Sequence, residues 1–419
     1  MSMQLRRVAQ VNPPVPELRG LGDDEVTFLP LEAVWPDGRR RYEFTKPANT
    51  GGYTVLRRGD VVMPKITPTF EAGRVFVADD LPTAAGLATT EVHVLRPREI
   101  EPRYLAYFLR TQPVLSEGET VLQGVGNLRR VTAEWVSTLS IPVDNESDQA
   151  RIADYLDRET ATIDALIDKQ RGLVAGLRRR RATAIVAATS GMQTKGDRGE
   201  SSSSWLKDIP AHWSELPVKR ILTDVQSGYW GSDEVGDGTD VRVVRVADFD
   251  RPTLSVGTAP TIRSVTPSER AKAALRRGDL LMEKSGGTGI NPVGFVVSYE
   301  SDEESIFANF IVRLRLATGQ HQRFWLYALN GAYTSGLTWK SVNQTTGIQN
   351  LDMVSFLSEV FPVPPLEEQR EIADHLDRET AKIDALIAKA ERFIELAQER
   401  RAALITAAVT GQIEIPTED

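Results

Sequence analysis

Two stretches of this chain carry apolar residues at steps of three and four over about forty positions each, the period of a helix with one buried face. The first runs through Ile152, Leu156, Ile163, Leu166, Ile167, Leu173, Leu177 and Ile185. The second runs through Ile372, Leu376, Ile383, Leu386, Ile387, Ile394 and Ile405. Each predicts a helix about 60 Å long at ~1.5 Å per residue. Pro362, Pro364 and Pro365, followed by Glu367 and Glu368, suit a helix start and its dipole, while Gly191 and Gly411 suit helix stops. Ile152, Leu156, Ile163 and Leu166 are expected to form the core of the first helical spacer, and Ile372, Leu376, Ile383 and Leu386 that of the second. Arg180-Arg181 and Arg400-Arg401 interrupt the stripes and read as a solvated face. Elsewhere short β-rich runs, as at 75–77, 92–95, 241–246 and 310–316, alternate with Gly, Pro, Asp and Asn turns. Helical patches interrupt them at 103–110 and 323–329.

The chain is written twice. IADYLDRETATIDALI (152–167) returns as IADHLDRETAKIDALI (372–387), shifted by 220 residues. Gln149 answers Gln369, Arg180-Arg181-Ala182 answers Arg400-Arg401-Ala402, and Gly191 answers Gly411. Fainter echoes pair LRRGDVVMPK (56–65) with LRRGDLLMEK (275–284), and Tyr104, Leu105 and Tyr107 with Phe324, Trp325 and Tyr327. Repetition on this scale points to one duplicated unit. The expected fold is α+β: two mixed α/β domains alternating with two long helices that pair as an antiparallel coiled coil, an internal pseudo-two-fold repeat. The expected boundaries are 1–140 and 205–360 for the variable domains, and 141–193 and 361–413 for the helical spacers. A flexible linker is expected at 194–204, built on GDRGESSSS (196–204).

Composition narrows the chemistry. The 419 residues are 41% hydrophobic and 26% charged, as in soluble chains of several domains. With no cysteine, disulfides, thiol catalysis and cysteine-ligated metal centres are excluded. His93, His212, His321 and His375 stand far apart with no HExxH pair, so no metal site is expected. No apolar run of about 18 residues and no apolar leader occur, which leads to the expectation of a cytoplasmic protein without membrane contact. The net charge of −8 is unevenly spread: 1–140 and 141–200 are neutral, 201–360 carry −2 and 361–419 carry −6. The excess acid therefore lies away from the variable domains, whose basic residues cluster at Arg39-Arg40-Arg41, Arg57-Arg58, Arg129-Arg130 and Arg276-Arg277. An acidic total is compatible with a local nucleic-acid face.

Catalytic signatures are missing. Asn12-Pro13-Pro14-Val15 resembles an adenine-methyltransferase tetrapeptide but lacks the aromatic that stacks on a flipped base. Asp279 with Glu283-Lys284 hints at a metal nuclease, yet Glu and Lys are adjacent and the first copy has Pro64 in place of the glutamate. Ser285-Gly286-Gly287-Thr288-Gly289 lacks the Lys-Ser/Thr of a P-loop, and no G-x-S-x-G elbow is present. No catalytic residue is assigned.

Together FPVPPLEEQREIADHLDRETAKIDALI (361–387), its copy from Ile141, IPAHWSELPVKRI (209–221), TTEVHVLRP (89–97) and TTGIQNL (345–351) resemble the specificity subunits of type I restriction-modification systems. At the proline–glutamate string the first copy departs, reading IPVDNESDQ. The resemblance implies a non-catalytic subunit whose two target-recognition domains each read one half of a split, asymmetric DNA sequence, with the helices setting the gap. It implies double-stranded DNA, two modification (methyltransferase) subunits and restriction (motor-nuclease) subunits as partners. S-adenosylmethionine, Mg and ATP are then expected in those partners, with no cofactor in this chain. A coiled-coil protein-binding scaffold, a lone nuclease or methyltransferase, and a recognition subunit of another restriction class are the alternatives.

Base reading calls for Arg, Asn, Gln and short polar loops. In the first domain the candidates are Arg39, Arg40, Arg41, Tyr42, Lys65, Thr67, Arg129 and Arg130. In the second they are Tyr229, Trp230, Lys284, Ser285, Thr288, Asn291, Lys340, Asn343, Gln344 and Thr345. Tyr229-Trp230 suits either a base stack or a core anchor. Arg57-Arg58 and Arg276-Arg277 recur in both halves and are expected to shape a turn or touch phosphate.

Overall fold

The computed structural model describes residues 2–35, 42, 44–126, 128–142, 145–287, 291–345 and 348–416. It is a mixed α+β structure dividing into two compact units: Met1–Arg171 with Glu391–Asp419, and Gly172–Ala390. The long helices span Glu146–Thr189 and Leu366–Val409, 44 residues each, and each contributes to both units. Gly191 and Gly411 follow them at φ 73° and 72°, the left-handed stop that glycine adopts without a Cβ clash.

In the first unit, Ala9–Val11, Val92–Pro97, Val61–Pro64 and Phe76–Val77 form one four-stranded antiparallel sheet. Phe44–Pro47, Glu25–Leu29, Ala85–Ala88 and Thr54–Arg57 form another, in which Glu25–Leu29 and Ala85–Ala88 run parallel. The short helix Pro102–Phe108 is capped by Glu101, whose carboxylate accepts from Tyr104 N. Its buried residues share a core with Ile152 and Leu156 of one long helix and with Ile405, Ala408 and Val409 of the other.

The second unit is built around a six-stranded sheet in the order Leu222–Ser227, Ile311–Leu316, Leu280–Glu283, Val296–Ser298, Ser255–Val256, Phe249–Asp250. Helix Gln322–Thr334 buries Phe324 to Ala332, whose apolar members join Ile185, Ala188, Ala373 and Leu376 in one core. The expected linker is instead held by hydrogen bonds. Arg198–Glu200 pairs antiparallel with Asp208–Pro210, and the Glu215 carboxylate accepts from the Ser201 hydroxyl and from the backbone and hydroxyl of Ser202. The serines that read as low-complexity polar sequence supply the donors for one acid.

The same contacts occur inside each unit at close to the sequence offset. Tyr107 Oη donates to Asp157 at 2.7 Å and lies 3.3 Å from Thr160 Oγ1; Tyr327 Oη meets Asp377 at 2.6 Å and Thr380 at 3.2 Å. Gln149 Oε1 accepts from Glu101 N as Gln369 Oε1 accepts from His321 N. Arg96 grips Asp60 through two nitrogens, and Arg315 grips Asp279 likewise. Each of these aspartates also accepts from the backbone N of Arg57 or Arg276 across a turn containing Gly59 or Gly278 at φ 83° or 94°. Asp279 is thus an ion-pair partner inside the fold, and the paired arginines shape a turn as expected.

On the long helices Ile152, Leu156, Ile163, Leu376 and Ile383 are buried as expected, and Ile372 is half-buried. Leu166 and Leu386 are not core: they are 43% and 52% exposed, and Leu173 is exposed too. The buried line runs instead through Gln149, Ala153, Leu156, Thr160, Ile163 and Ile167, and through its copy at Gln369, Ala373, Leu376, Thr380 and Ile383. Thr and Ala hold positions that a count of large apolar residues assigns to neighbouring leucines. Arg181 and Arg401 also depart from the solvated reading, since they continue this line at heptad spacing and are partly buried. Arg181 pairs with Asp384 at 3.0 Å in the second unit, and Arg401 pairs with Asp164 at 2.8 Å in the first. Arg180 and Arg400 are exposed.

Asp60 is 1% exposed, so removing its carboxylate strands a partly buried guanidinium. Asp60→Ala is expected to cost about 3–5 kcal/mol in urea unfolding, whereas Arg277→Ala, whose pair with Asp302 is exposed, is expected to leave the urea midpoint nearly unchanged.

Candidate nucleic-acid interface

In the first unit the fully buried strand Val61–Pro64 delivers Lys65 to its end. Lys65 O accepts from Val131 N at 2.9 Å, and Thr67 N donates to Arg129 O at 2.9 Å, so the 65–67 segment lies against 129–131. Gln123 and Arg130 exchange backbone hydrogen bonds of 2.9 and 2.8 Å, closing the loop between them. On that loop Val125 and Leu128 are 86% and 60% exposed. Four candidates, Lys65, Thr67, Arg129 and Arg130, are therefore brought together. Arg130 is committed to a two-nitrogen pair with Glu91, and its guanidinium holds that carboxyl below the usual range. Arg129 is exposed and only 3.9 Å from Glu71; Thr67 is buried.

His93 anchors the base of this loop. Its Nε2 lies 3.0 Å from Val131 O and its Nδ1 lies 3.1 Å from Asn12 Nδ2. Asn12 Oδ1 accepts from Val94 N, which leaves its amide nitrogen as the donor to Nδ1, so Nε2–H donates to the carbonyl. Both groups of the Asn12 amide are used inside the fold, and the methyltransferase-like tetrapeptide is structural.

The second unit repeats the arrangement. Leu280–Glu283 delivers Lys284, whose carbonyl accepts from Leu351 N at 2.8 Å. Ser285–Gly286 pairs with Ile348–Leu351, which pairs in turn with Val342–Thr345. Ser285 Oγ donates to Asn350 Oδ1 at 2.7 Å, and Lys284 Nζ donates to Ser227 Oγ at 3.0 Å. Burial pushes the Lys284 ammonium down and the Glu283 carboxyl up, the latter opposed by its ion pair with Arg251. Asn343 is exposed, as is Ile348 at 48%, the counterpart of Leu128 at the 220-residue offset. Lys284, Ser285 and Asn343 thus share a surface, with Gln344 and Thr345 on the same strand.

Other candidates fall elsewhere. Tyr42 packs against the Leu29–Val94 core cluster, and half-buried Tyr229 packs on the second unit's core. Trp230 stacks on the Arg263 guanidinium 4.6 Å from its ring centre. Lys340 donates to Ser204 O and Oγ, and Asn291 is exposed. Arg39, Arg40, Arg41 and Thr288 lie outside the described residues. Sequence reading passed over Gln123, Val125, Leu128, Ile348 and Asn350. The signal that finds them is the offset of 220, which maps the 342–351 hairpin onto 122–131.

The chain thus carries two matched lysine-and-hairpin surfaces bearing different side chains. Residues 271–395 match the family described as Type I restriction modification DNA specificity domain. The chain is 24% identical over 295 residues to the type I restriction enzyme StySPI specificity subunit of Salmonella potsdam, covering 70% of this chain and 61% of that one. It is 31% identical over 155 residues to the EcoEI specificity subunit of Escherichia coli, covering 35% and 25%. Each match thus spans less than two thirds of the relative. Among solved structures, a chain from work on complex assembly and conformational transition of the type I R-M system superposes with a TM-score of 0.69 at 17% identity, covering 99% of this chain and 98% of that one. The HsdS subunit from Thermoanaerobacter tengcongensis gives 0.53 at 17%, covering 99% and 97%. Over residues 271–395 the chain thus matches the type I restriction-modification specificity family, and over a longer stretch it is similar to specificity subunits. Among the described residues no helix is long and apolar enough to cross a membrane, and no group of three or more His, Asp or Glu is arranged to hold a metal.

Burial holds the His93 imidazole below its free value of about 6.5. The unfolded chain therefore takes up this proton first, and the stability contributed by neutral His93 is present above that pH and lost as pH falls through it. His93→Gln is expected to flatten the fall in urea midpoint between about pH 7 and 5 relative to the parent chain; parallel curves for the two proteins would remove His93 from this role.

Proposed function

We propose that this chain is the DNA-recognition subunit of a type I restriction-modification complex and performs no chemistry itself. It reads a bipartite, asymmetric target, one recognition domain per half-site. The observation that carries this reading is the pair of matched surfaces at Lys65 and Lys284. The repeat keeps the lysine and the hairpin, and it varies the side chains beside them: Arg129 and Leu128 in one, Asn350 and Ile348 in the other. A common scaffold with divergent polar residues is what two different half-sites require.

The two long helices act as an antiparallel coiled coil with pseudo-two-fold symmetry. Supporting this, the residue that is the arginine in one ion pair has its copy as the arginine in the other, and the aspartates exchange likewise. An arginine on the buried line fixes register at some cost in stability. Leu166, Leu173, Leu386, Phe393 and Leu396 lie exposed on these helices. Apolar side chains left off the buried line suit recruitment of methyltransferase and restriction subunits, which would bring S-adenosylmethionine, ATP and Mg.

Adenine-methylation mapping in a methylation-free host tests the assignment, with the neighbouring methyltransferase gene expressed alone and then with this chain. A split motif is expected only when the chain is present. No motif from a folded, associated pair would shift the reading to a protein-binding scaffold.

A further inference from the structure

A cavity of about 600 Å³ opens within the first unit, among the 72–77 segment, the helix Pro102–Phe108 and the two long helices. Five arginines line it, and three of them are already paired with carboxylates, Arg401 with Asp164 among these. Among the described residues the remaining two, Arg74 and Arg110, have no carboxylate partner. Arg110 lies 5.3 Å from the centre of the Tyr107 ring, and among the described residues its guanidinium has no hydrogen bond or ion pair. Burial and neighbouring Arg401 push its pKa down to about 10, against the opposing pull of Tyr107, Asp164 and Asp157, so it stays charged at neutral pH. Five arginines face three lining carboxylates, Asp157, Asp164 and Asp168, which leaves the cavity net positive. Arg74 stacks 3.4 Å from the centre of the Trp35 ring, with its Nε buried and without a hydrogen-bond partner among the described residues. The two are close, since a Cβ on Gly73 would stand 4.0 Å from Arg110 Cγ.

The repeat shows that this charge is not a requirement of the fold. At the offset of 220 the second unit has Asn330, whose amide is fully engaged with Val296 N, Val296 O and Leu326 O. A partly buried guanidinium with no bonded acceptor, in a cavity of net positive charge, is costly unless an anion answers it. The volume is that of a small-molecule site, and planar donors of this kind match phosphate oxygens. We propose that this cavity binds a phosphate group through Arg110 and Arg74, carried either by a free di- or polyphosphate or by the DNA backbone.

The test is calorimetry and thermal unfolding of the full chain at low salt, with inorganic pyrophosphate, then ATP, against chloride at matched ionic strength. Arg110→Asn and Arg74→Gln are the variants. Pyrophosphate is expected to bind one to one and raise the unfolding temperature. Arg110→Asn should weaken it at least about tenfold, while unfolding no earlier than the parent chain without ligand, because position 330 already accepts asparagine. If pyrophosphate and ATP do not bind but Arg110→Asn weakens duplex DNA equally across sequences, with a salt slope lower by about one, the phosphate is the duplex's own. That arm reads phosphate contact alone, so it stands whether or not the chain selects a methylation target. No binding of either probe with unchanged DNA affinity, or equal pyrophosphate affinity in parent and Arg110→Asn, would overturn the proposal.

Discussion

A helix of 44 residues with a single apolar line exposes that line to water unless something covers it, and local propensity cannot stabilise it alone. Here the cover comes from two sources in each unit. Leu156 shares its core with Ile405 and Ala408 of the other long helix and with Tyr104 and Leu105 of a short one. Leu376 shares its core with Ile185 and Ala188 and with Phe324 and Trp325. In each unit the domain is therefore fastened to both helices by one core. The Tyr–Asp–Thr contacts at 107, 157 and 160, and at 327, 377 and 380, add directional bonds to that burial. A buried tyrosine hydroxyl must find a partner, so these contacts also fix the rotation of the short helix on the long one.

From this fastening the two matched lysine-and-hairpin surfaces follow. The central strand of each sheet, Val61–Pro64 or Leu280–Glu283, is buried on both faces and ends at a lysine. The chain beyond is clamped to a hairpin by backbone bonds, the first of them from Val131 or Leu351 to the lysine carbonyl. Variation beside a fixed backbone is the economical way to change what is read, because hairpin residues alter without disturbing the core. The halves differ in support. The first hairpin rests on neutral His93, and the second rests on buried Gln349, whose Oε1 accepts from Val293 N.

Much of this was legible in the sequence, because duplication writes the same constraints twice. The long helices, their glycine stops and the short helix at Tyr104 and Tyr107 all follow from the aligned copies. What escaped did so for physical reasons. Leu166 and Leu386 look like core, yet Thr160 and Thr380 take the buried line because their hydroxyls return to the helix carbonyls of Leu156 and Leu376. Arg181 and Arg401 look solvated until the opposing aspartates are in place. The 122–131 loop carries Gly124-Val125-Gly126 and no alternating pattern, so nothing local marks it as a hairpin. Gly196 to Ser204 looked like linker because the acid that organises its serines, Glu215, lies further along the chain.

The claim at the centre of this account is that each hairpin surface reads one half-site. Methylation maps of Arg129→Ala and Asn343→Ala, each in an assembled complex, test it most directly. The account predicts that each variant relaxes base preference in one half-site, a different one for each, and leaves the other as in the parent chain. Maps identical to the parent's, or relaxation of both half-sites by a single variant, would contradict it.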